Sequence, residues 1–189
     1  MTEKRTQILD TATCLFGKHG FHAVGVDWII ARSGVSKMTM YRYFPSKADL
    51  VLEVLRREKM VRHEAIDAYV QAANTSLEKL ASVFDWYQVW FNDPEFSGCL
   101  FTHAASEFAD KGTQIHKIVV AQKADLTETL ETLARQIPSI AEPTLFAATL
   151  AMLLDGATLK AQIAGDQDAA SQAWKMANAL IDTQILRAA

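Results

Sequence analysis

Cysteine is scarce in this chain, with only Cys14 and Cys99, 85 positions apart. Two such residues do not make a disulfide scaffold, and the usage fits a reducing compartment. Long apolar runs are also lacking. No stretch approaches the ~18 residues that span a bilayer, and the first residues have no apolar segment like that of a secretory signal. The expectation is a cytoplasmic protein with no membrane partner. Strand-like alternation is nearly missing, and no internal repeat, low-complexity tract or flexible linker stands out. There is no Gly-rich phosphate loop, no HExxH, no GxSxG and no convincing nucleophile–base pair. An enzyme is therefore not expected, nor is a cofactor. A large positive excess is missing too: the net charge is −3 and the pI about 5.9. That argues against a protein that packages DNA without sequence preference.

The charge that is present is unevenly placed. Residues 1–63 carry eleven Lys/Arg against six Asp/Glu, and residues 64–189 carry eight against sixteen. A basic front on an acidic body suits a module that approaches a polyanion. Half of the residues are hydrophobic, enough for a substantial core.

Apolar residues recur at helical spacing almost throughout, so the expected fold class is all-α with about nine helices, three short ones followed by six mostly longer. Ile8, Leu9, Ala12, Leu15 and Phe16 form the first stripe, which ends at Lys18-His19-Gly20. A short segment covers Val26 to Arg32, and another, capped by Ser36, runs to Tyr43 before Pro45. Ser46 to Asp49 opens a helix to about residue 72, and Thr75 to Glu78 repeats that capping signature. A break follows at Asn92-Asp93-Pro94. Helices are then expected over Cys99 to Asp110, Thr113 to about Ile137, Pro143 to about Gly165, and from Asp166 or Asp168 almost to the end.

The stretch from Asp27 to Phe44 meets the requirements of a helix-turn-helix, two helices joined by a tight turn with the second lying in the major groove. Ile30 and Ala31 are expected to face the partner helix, Gly34 to take the positive φ of the turn, and Met40 or Phe44 to return to the core. Lys37, Met38, Thr39, Tyr41 and Arg42 are left to point outward, with chemistries suited to phosphates, base edges and thymine methyls. For Met38, core packing and base readout are equally good readings.

The run GVSKMTMYRYFPSKADL resembles the signature of the TetR family of bacterial transcriptional regulators, and the similarity reaches back through ILDTATCLFGKHGFHAVGVDWIIARSG. The resemblance implies a helix-turn-helix domain over residues 1–46 and a ligand-binding and dimerisation domain over 47–189, with 47–72 as a rigid connecting helix. It implies that Tyr41 and Lys47 hold phosphates, that Lys37 to Arg42 supply most base contacts, and that Arg5 and Lys4 add backbone contacts. One departure stands out. The family usually has Thr-Ser or Thr-Thr where this chain has Val24-Gly25, so a hydroxyl cap and phosphate donor are missing and the backbone N–H of Val26 is left to replace the donor. The implied partners are a double-stranded palindromic operator, a second copy of the chain, and a partly apolar small-molecule effector. The expected role is that of a repressor.

In the body, Leu150, Leu153, Leu154, Ala157, Leu159 and Ala161 surround Gly156, an unusual residue for a helix interior. With Lys160 and with Trp174, Ala177, Leu180 and Ile181 of the last helix, they resemble the family's two-fold four-helix interface; the expected interface residues are Leu153, Gly156, Ala157, Lys160, Trp174, Ala177, Leu180 and Ile181. Trp86, Tyr87, Trp90, Phe101, Phe108 and Met152 are candidates to line an effector pocket, with Cys99, His103 and His116 as its polar members. The segment GCLFTHAASEF resembles one found in a subset of the family and puts Cys99, His103 and Glu107 at i, i+4 and i+8. Metal ligation by these three, or thiol and electrophile sensing through Cys99, are alternatives to a buried cysteine beside a hydrogen-bonded histidine, and no metal site is expected.

Overall fold

The computed structural model describes residues 3–188, with side chains through Thr183. Among the described residues the chain forms nine helices and no strand: α1 Glu3–His19, α2 Val26–Ser33, α3 Lys37–Tyr43, α4 Lys47–Ala72, α5 Ser76–Phe91, α6 Leu100–Glu107, α7 Gln114–Ala134, α8 Pro143–Ala164 and α9 Ala169–Ala188. At 17 residues α1 is longer than the sequence pattern implied.

Local chemistry sets most of the ends. Ser36 caps α3 by accepting the Thr39 N–H at 3.1 Å. Thr75 and Glu78 form a reciprocal capping box at α5, satisfying two of the donors that every helix start leaves without an intrahelical partner. At Ser46 the side chain accepts the Asp49 N–H at 3.1 Å and donates to the Asp49 carboxylate at 2.7 Å. Pro143 occupies the first turn of α8, where its missing N–H is harmless. Two helices stop earlier than expected. α6 ends at Glu107 rather than Asp110, because Phe108 leaves the helix with its ring against Phe21 and His22. α7 ends at Ala134, and Gln136 and Ile137 finish the stretch with tighter i→i−3 bonds before Pro138.

The chain divides into two compact units. The first comprises the chain through Val61 together with Cys99–Gln122. Its buried side chains include Ile8, Leu9, Ala12 and Phe16 of α1, Ile29 of α2, Met40 of α3, Leu50, Val54 and Leu55 of α4, and Phe101 of α6. Arg5 pairs with Glu53 and lies over the Phe44 ring at 5.5 Å, and Arg57 pairs with Asp10 at 2.6 Å, tying α1 to α4.

The second unit comprises Arg62–Gly98 and the chain from Lys123. Its core joins Leu80, Val83, Phe84, Tyr87 and Phe91 of α5 to Leu126, Leu130 and Leu133 of α7, to Phe146, Leu150, Leu154, Ala157 and Ala161 of α8, and to Ala173, Ala177 and Ile181 of α9. α8 corrects the expectation that no stretch is long and apolar enough to cross a membrane. It has 22 residues and a mean hydropathy of 1.3 over its most apolar window. It is apolar nearly all round because one side fills the core of this unit, while Met152, Leu159 and Ile163 on the other side are exposed.

Candidate nucleic-acid interface

The reader is built from α2, the turn and α3. Gly34 takes φ 67° and donates its N–H to the Ile30 carbonyl at 3.0 Å, which ends α2 and lets the chain reverse. Ile29, not Ile30 or Ala31, is the fully buried anchor of α2; Ile30 is half-buried and Ala31 exposed. The expected register is therefore one residue off. Met40 and Phe44 are buried, as expected, and seat α3.

That seating leaves Lys37, Met38, Tyr41 and Arg42 exposed together. Met38 is 81% exposed, which decides against core packing. Arg42 lies over the Tyr43 ring at 5.1 Å, and Lys37 pairs with Asp27 at 3.2 Å. Thr39 is less available: it is half-buried, and its hydroxyl meets that of Ser36 at 2.9 Å. Of the residues expected on the DNA backbone, Gly25 is exposed and opens α2 with extended dihedrals (φ −80°, ψ 153°) and no side-chain cap. Val26 is half-buried, and Lys47 donates to the His22 carbonyl at 3.3 Å. Arg5 is committed to Glu53 and Phe44 within the unit.

The expected effector residues fall in both units, so each group is described within its own. In the first, Cys99 and Phe101 are buried, and His103 and His116 are half-buried. Phe108 packs edge-on to Phe21 at 5.7 Å and against His22 at 5.0 Å. Glu107, which the spacing grouped with Cys99 and His103, instead accepts the N–H groups of Phe21 and His22. Among the described residues no three His, Cys, Asp or Glu side chains are grouped to hold a metal ion. Nδ1 of His116 and Oε1 of Gln122 are buried without a hydrogen-bond partner. Gln122 carries no motif; its place among Ile115, Val119 and Leu126 on the buried face of α7 is its signal in the sequence.

In the second unit Trp86, Tyr87 and Trp90 belong to an aromatic cluster with Phe91 and Phe96. The guanidinium of the buried Arg62 lies 4.4 Å from the Trp90 centroid and 5.8 Å from that of Trp86. Met152 is exposed on α8 and lines no part of this cluster. An open groove of about 590 Å³, lined by Tyr69, Ala72, Ala81 and Asp85 among others, involves none of the expected residues.

The expected dimer residues divide as well. Gly156, Lys160 and Leu180 are exposed, Leu153 and Trp174 half-buried, and Ala157, Ala177 and Ile181 buried in the core of their own unit. The last three are covered mostly by their own unit. The exposed large apolar side chains are Leu145, Met152, Leu159 and Ile163 of α8 and Met176 and Leu180 of α9 among the described residues.

A short reader helix seated by two buried residues, with four polar or soft side chains exposed on it, defines a helix-turn-helix protein. Residues 8–54 match the model for bacterial regulatory proteins of the tetR family, and residues 76–177 match that for the tetracyclin repressor-like C-terminal domain. The chain belongs to the TetR family, a family of regulatory proteins rather than enzymes. It is 47% identical over 55 residues to the HTH-type transcriptional activator FasR of Mycolicibacterium smegmatis, a match covering 29% of this chain and 25% of that protein. It is 39% identical over 71 residues to the HTH-type transcriptional repressor KstR of the same organism, covering 38% and 33%. The chain thus spans less than half the length of these curated relatives. The crystal structure of a TetR-family transcriptional regulator from Streptomyces coelicolor superposes with a TM-score of 0.90 at 26% identity, covering 96% of this chain and 95% of that one.

Proposed function

We propose that the chain is an effector-responsive transcriptional repressor of the cytoplasm that binds a palindromic operator as a homodimer. The observation that carries this reading is the joint exposure of Lys37, Met38, Tyr41 and Arg42 on a helix anchored by Met40. Arg42 and Lys37 suit guanine edges, Met38 suits a thymine methyl, and Tyr41 and Lys47 suit phosphates. The N–H groups at the start of α2, at Gly25 and Val26, add a backbone contact.

Dimerisation is supported by the exposed apolar positions of α8 and α9, with Gly156 among them offering close helix approach. A two-fold pair of readers matches grooves one helical turn apart, about 34–36 Å. Effector response is supported by the unpartnered buried atoms of His116 and Gln122, which suit a ligand that brings hydrogen-bond donors into apolar surroundings. Such a ligand releases DNA only by binding better to the conformation whose readers do not fit, and DNA then weakens ligand binding by the same factor.

The test is selection of duplexes from a randomised pool at near-physiological salt. A palindrome with half-sites about one turn apart is the expected result. Retention without a motif, vanishing steeply as salt rises, would overturn the sequence-specific reading.

A further inference from the structure

We infer that Glu107 is a positioning residue for DNA binding, holding from α6 the turn that leads into α2, whose start has no side-chain cap; this rests on the reading of the chain as a DNA-binding regulator. α2 opens at Gly25, which has no side chain to accept first-turn N–H groups; the Trp28 N–H turns to the Gly25 carbonyl at 3.2 Å, and those of Val26 and Asp27 have no intrahelical acceptor. A capping side chain ordinarily fixes how the chain enters a helix. Here the approach to α2 is held from outside. The Glu107 carboxylate accepts the N–H of Phe21 at 2.8 Å and of His22 at 2.5 Å. The ring Nε2 of His22 returns to the Glu107 carbonyl oxygen at 2.8 Å, and the Phe108 ring packs against both Phe21 and His22.

The fit depends on bare backbone at Gly20, where a Cβ would stand 2.9 Å from Oε1 of Glu107. The carbonyl of His22 in turn accepts the Lys47 ammonium at 3.3 Å. One carboxylate therefore fixes a turn with two outputs. It sets the direction in which residues 23–25 deliver the start of α2, and through His22 it orients the lysine assigned to a phosphate. Charge-assisted bonds to two consecutive N–H groups make the carboxylate, rather than its neutral isostere, the required group. An acid that only filled space would act equally well as glutamine.

The experiment uses the full chain, its selected duplex, and amide hydrogen exchange. Glu107→Gln is expected to weaken DNA binding on the order of tenfold and to shrink the slope of log affinity against log salt by about one phosphate contact. Exchange should speed up at Phe21, His22 and the first turn of α2, with α8 protection unchanged. Gly25→Ser then supplies a local cap: its backbone is already extended, and nothing lies within 4 Å of the added Cβ. In the Glu107→Gln background it should restore exchange protection to the first turn of α2 while Phe21 and His22 stay fast. No return of that protection, or unchanged binding by Glu107→Gln, would overturn the inference. If the parent chain selects no DNA, the regulator reading fails by itself, and exchange still decides the clamp: unaltered protection at Phe21 and His22 in Glu107→Gln would rule it out.

Discussion

Gln88 on α5 secures the start of α9 through Ser171, whose N–H it accepts on Oε1 at 3.0 Å. Its Nε2 donates to the Gln167 carbonyl, which also receives Nδ2 of Asn92 at 3.2 Å. Ser171 lies in the first turn of α9, where N–H groups lack helical acceptors. Gln88→Ala leaves that donor without its partner, while the Gln167 carbonyl keeps Asn92, at an expected cost of about 1–2 kcal/mol. Gln88→Glu keeps the acceptor and places negative charge at a helix N-terminus, so it should lose less. Urea unfolding of the two variants checks the order, and equal losses would show that the carboxamide makes no specific contribution.

The reader face separates into two kinds of contact. Tyr41→Phe and Lys47→Ala are expected to weaken binding to every duplex alike, because phosphates carry no sequence information. Arg42→Ala and Met38→Ala are expected to relax preference at particular base pairs, by about 1–3 kcal/mol for a bidentate arginine. Binding to the selected duplex and to its single-base variants distinguishes the two patterns. Uniform loss from all four would contradict the division.

The reader was legible in sequence because its determinants are short-range: the Ser36 cap, the turn at Gly34 and the stop at Pro45 each act within a few residues. Two other features were not. α8 is apolar almost all round, so its pattern carries no phase. Leu150, Leu154 and Ala157 turn inward and Met152, Leu159 and Ile163 outward, a choice made by α5 and α9 rather than by spacing. Ala157 therefore reads equally well as an interface residue or a core residue from spacing, and it lies in the core. Glu107 shows the second limit. Its spacing from Cys99 and His103 pointed to a shared helix face, but α6 ends at that residue and its partners are Phe21 and His22, 86 and 85 positions away. No local pattern records such a contact, nor the return of residues 99–122 to the first compact unit.

The exposed side of α8 gives a test of the proposed dimer that avoids the core. Ile163 is 76% and Met152 66% exposed, so a charge at either should be tolerated by the folded chain and rejected by an apolar interface. Ile163→Glu and Met152→Glu are expected to sediment as monomers at micromolar concentration with unchanged helix content. A dimer that survives both substitutions would move the interface elsewhere.

Acid should destabilise the second unit through three carboxylates. Thr75 and Asn74 backbone N–H groups, with the Thr75 hydroxyl, hold Glu78 below its usual 4.5. The Thr144 hydroxyl, then Arg135, lowers Glu131. Lys160, helped by the Asp168 N–H and Gln172, holds Asp166 below 3.8. A carboxyl depressed in the folded state contributes stability above its unfolded pKa and loses it as pH falls through the folded one. Stability should therefore drop below about pH 4.5, and Glu78→Gln should flatten that limb while lowering stability at neutral pH. An unchanged acid limb in Glu78→Gln would show that the capping box does not contribute to it.

The two cysteines test whether Cys99 serves as a thiol sensor. Cys14 is exposed on α1, whereas Cys99 is 3% exposed at the N-cap of α6. A thiol reagent needs an accessible thiolate, so under native conditions Cys14 should react first and Cys99 only as fast as the surrounding structure opens. In Cys14→Ser the remaining thiol should therefore react slowly, and faster in denaturant. Rapid native modification of Cys99 in that variant, accompanied by loss of duplex binding, would favour oxidant or electrophile sensing over release by a non-covalent effector. Slow modification with binding intact would make burial, not reactivity, the reason for a cysteine at the start of α6.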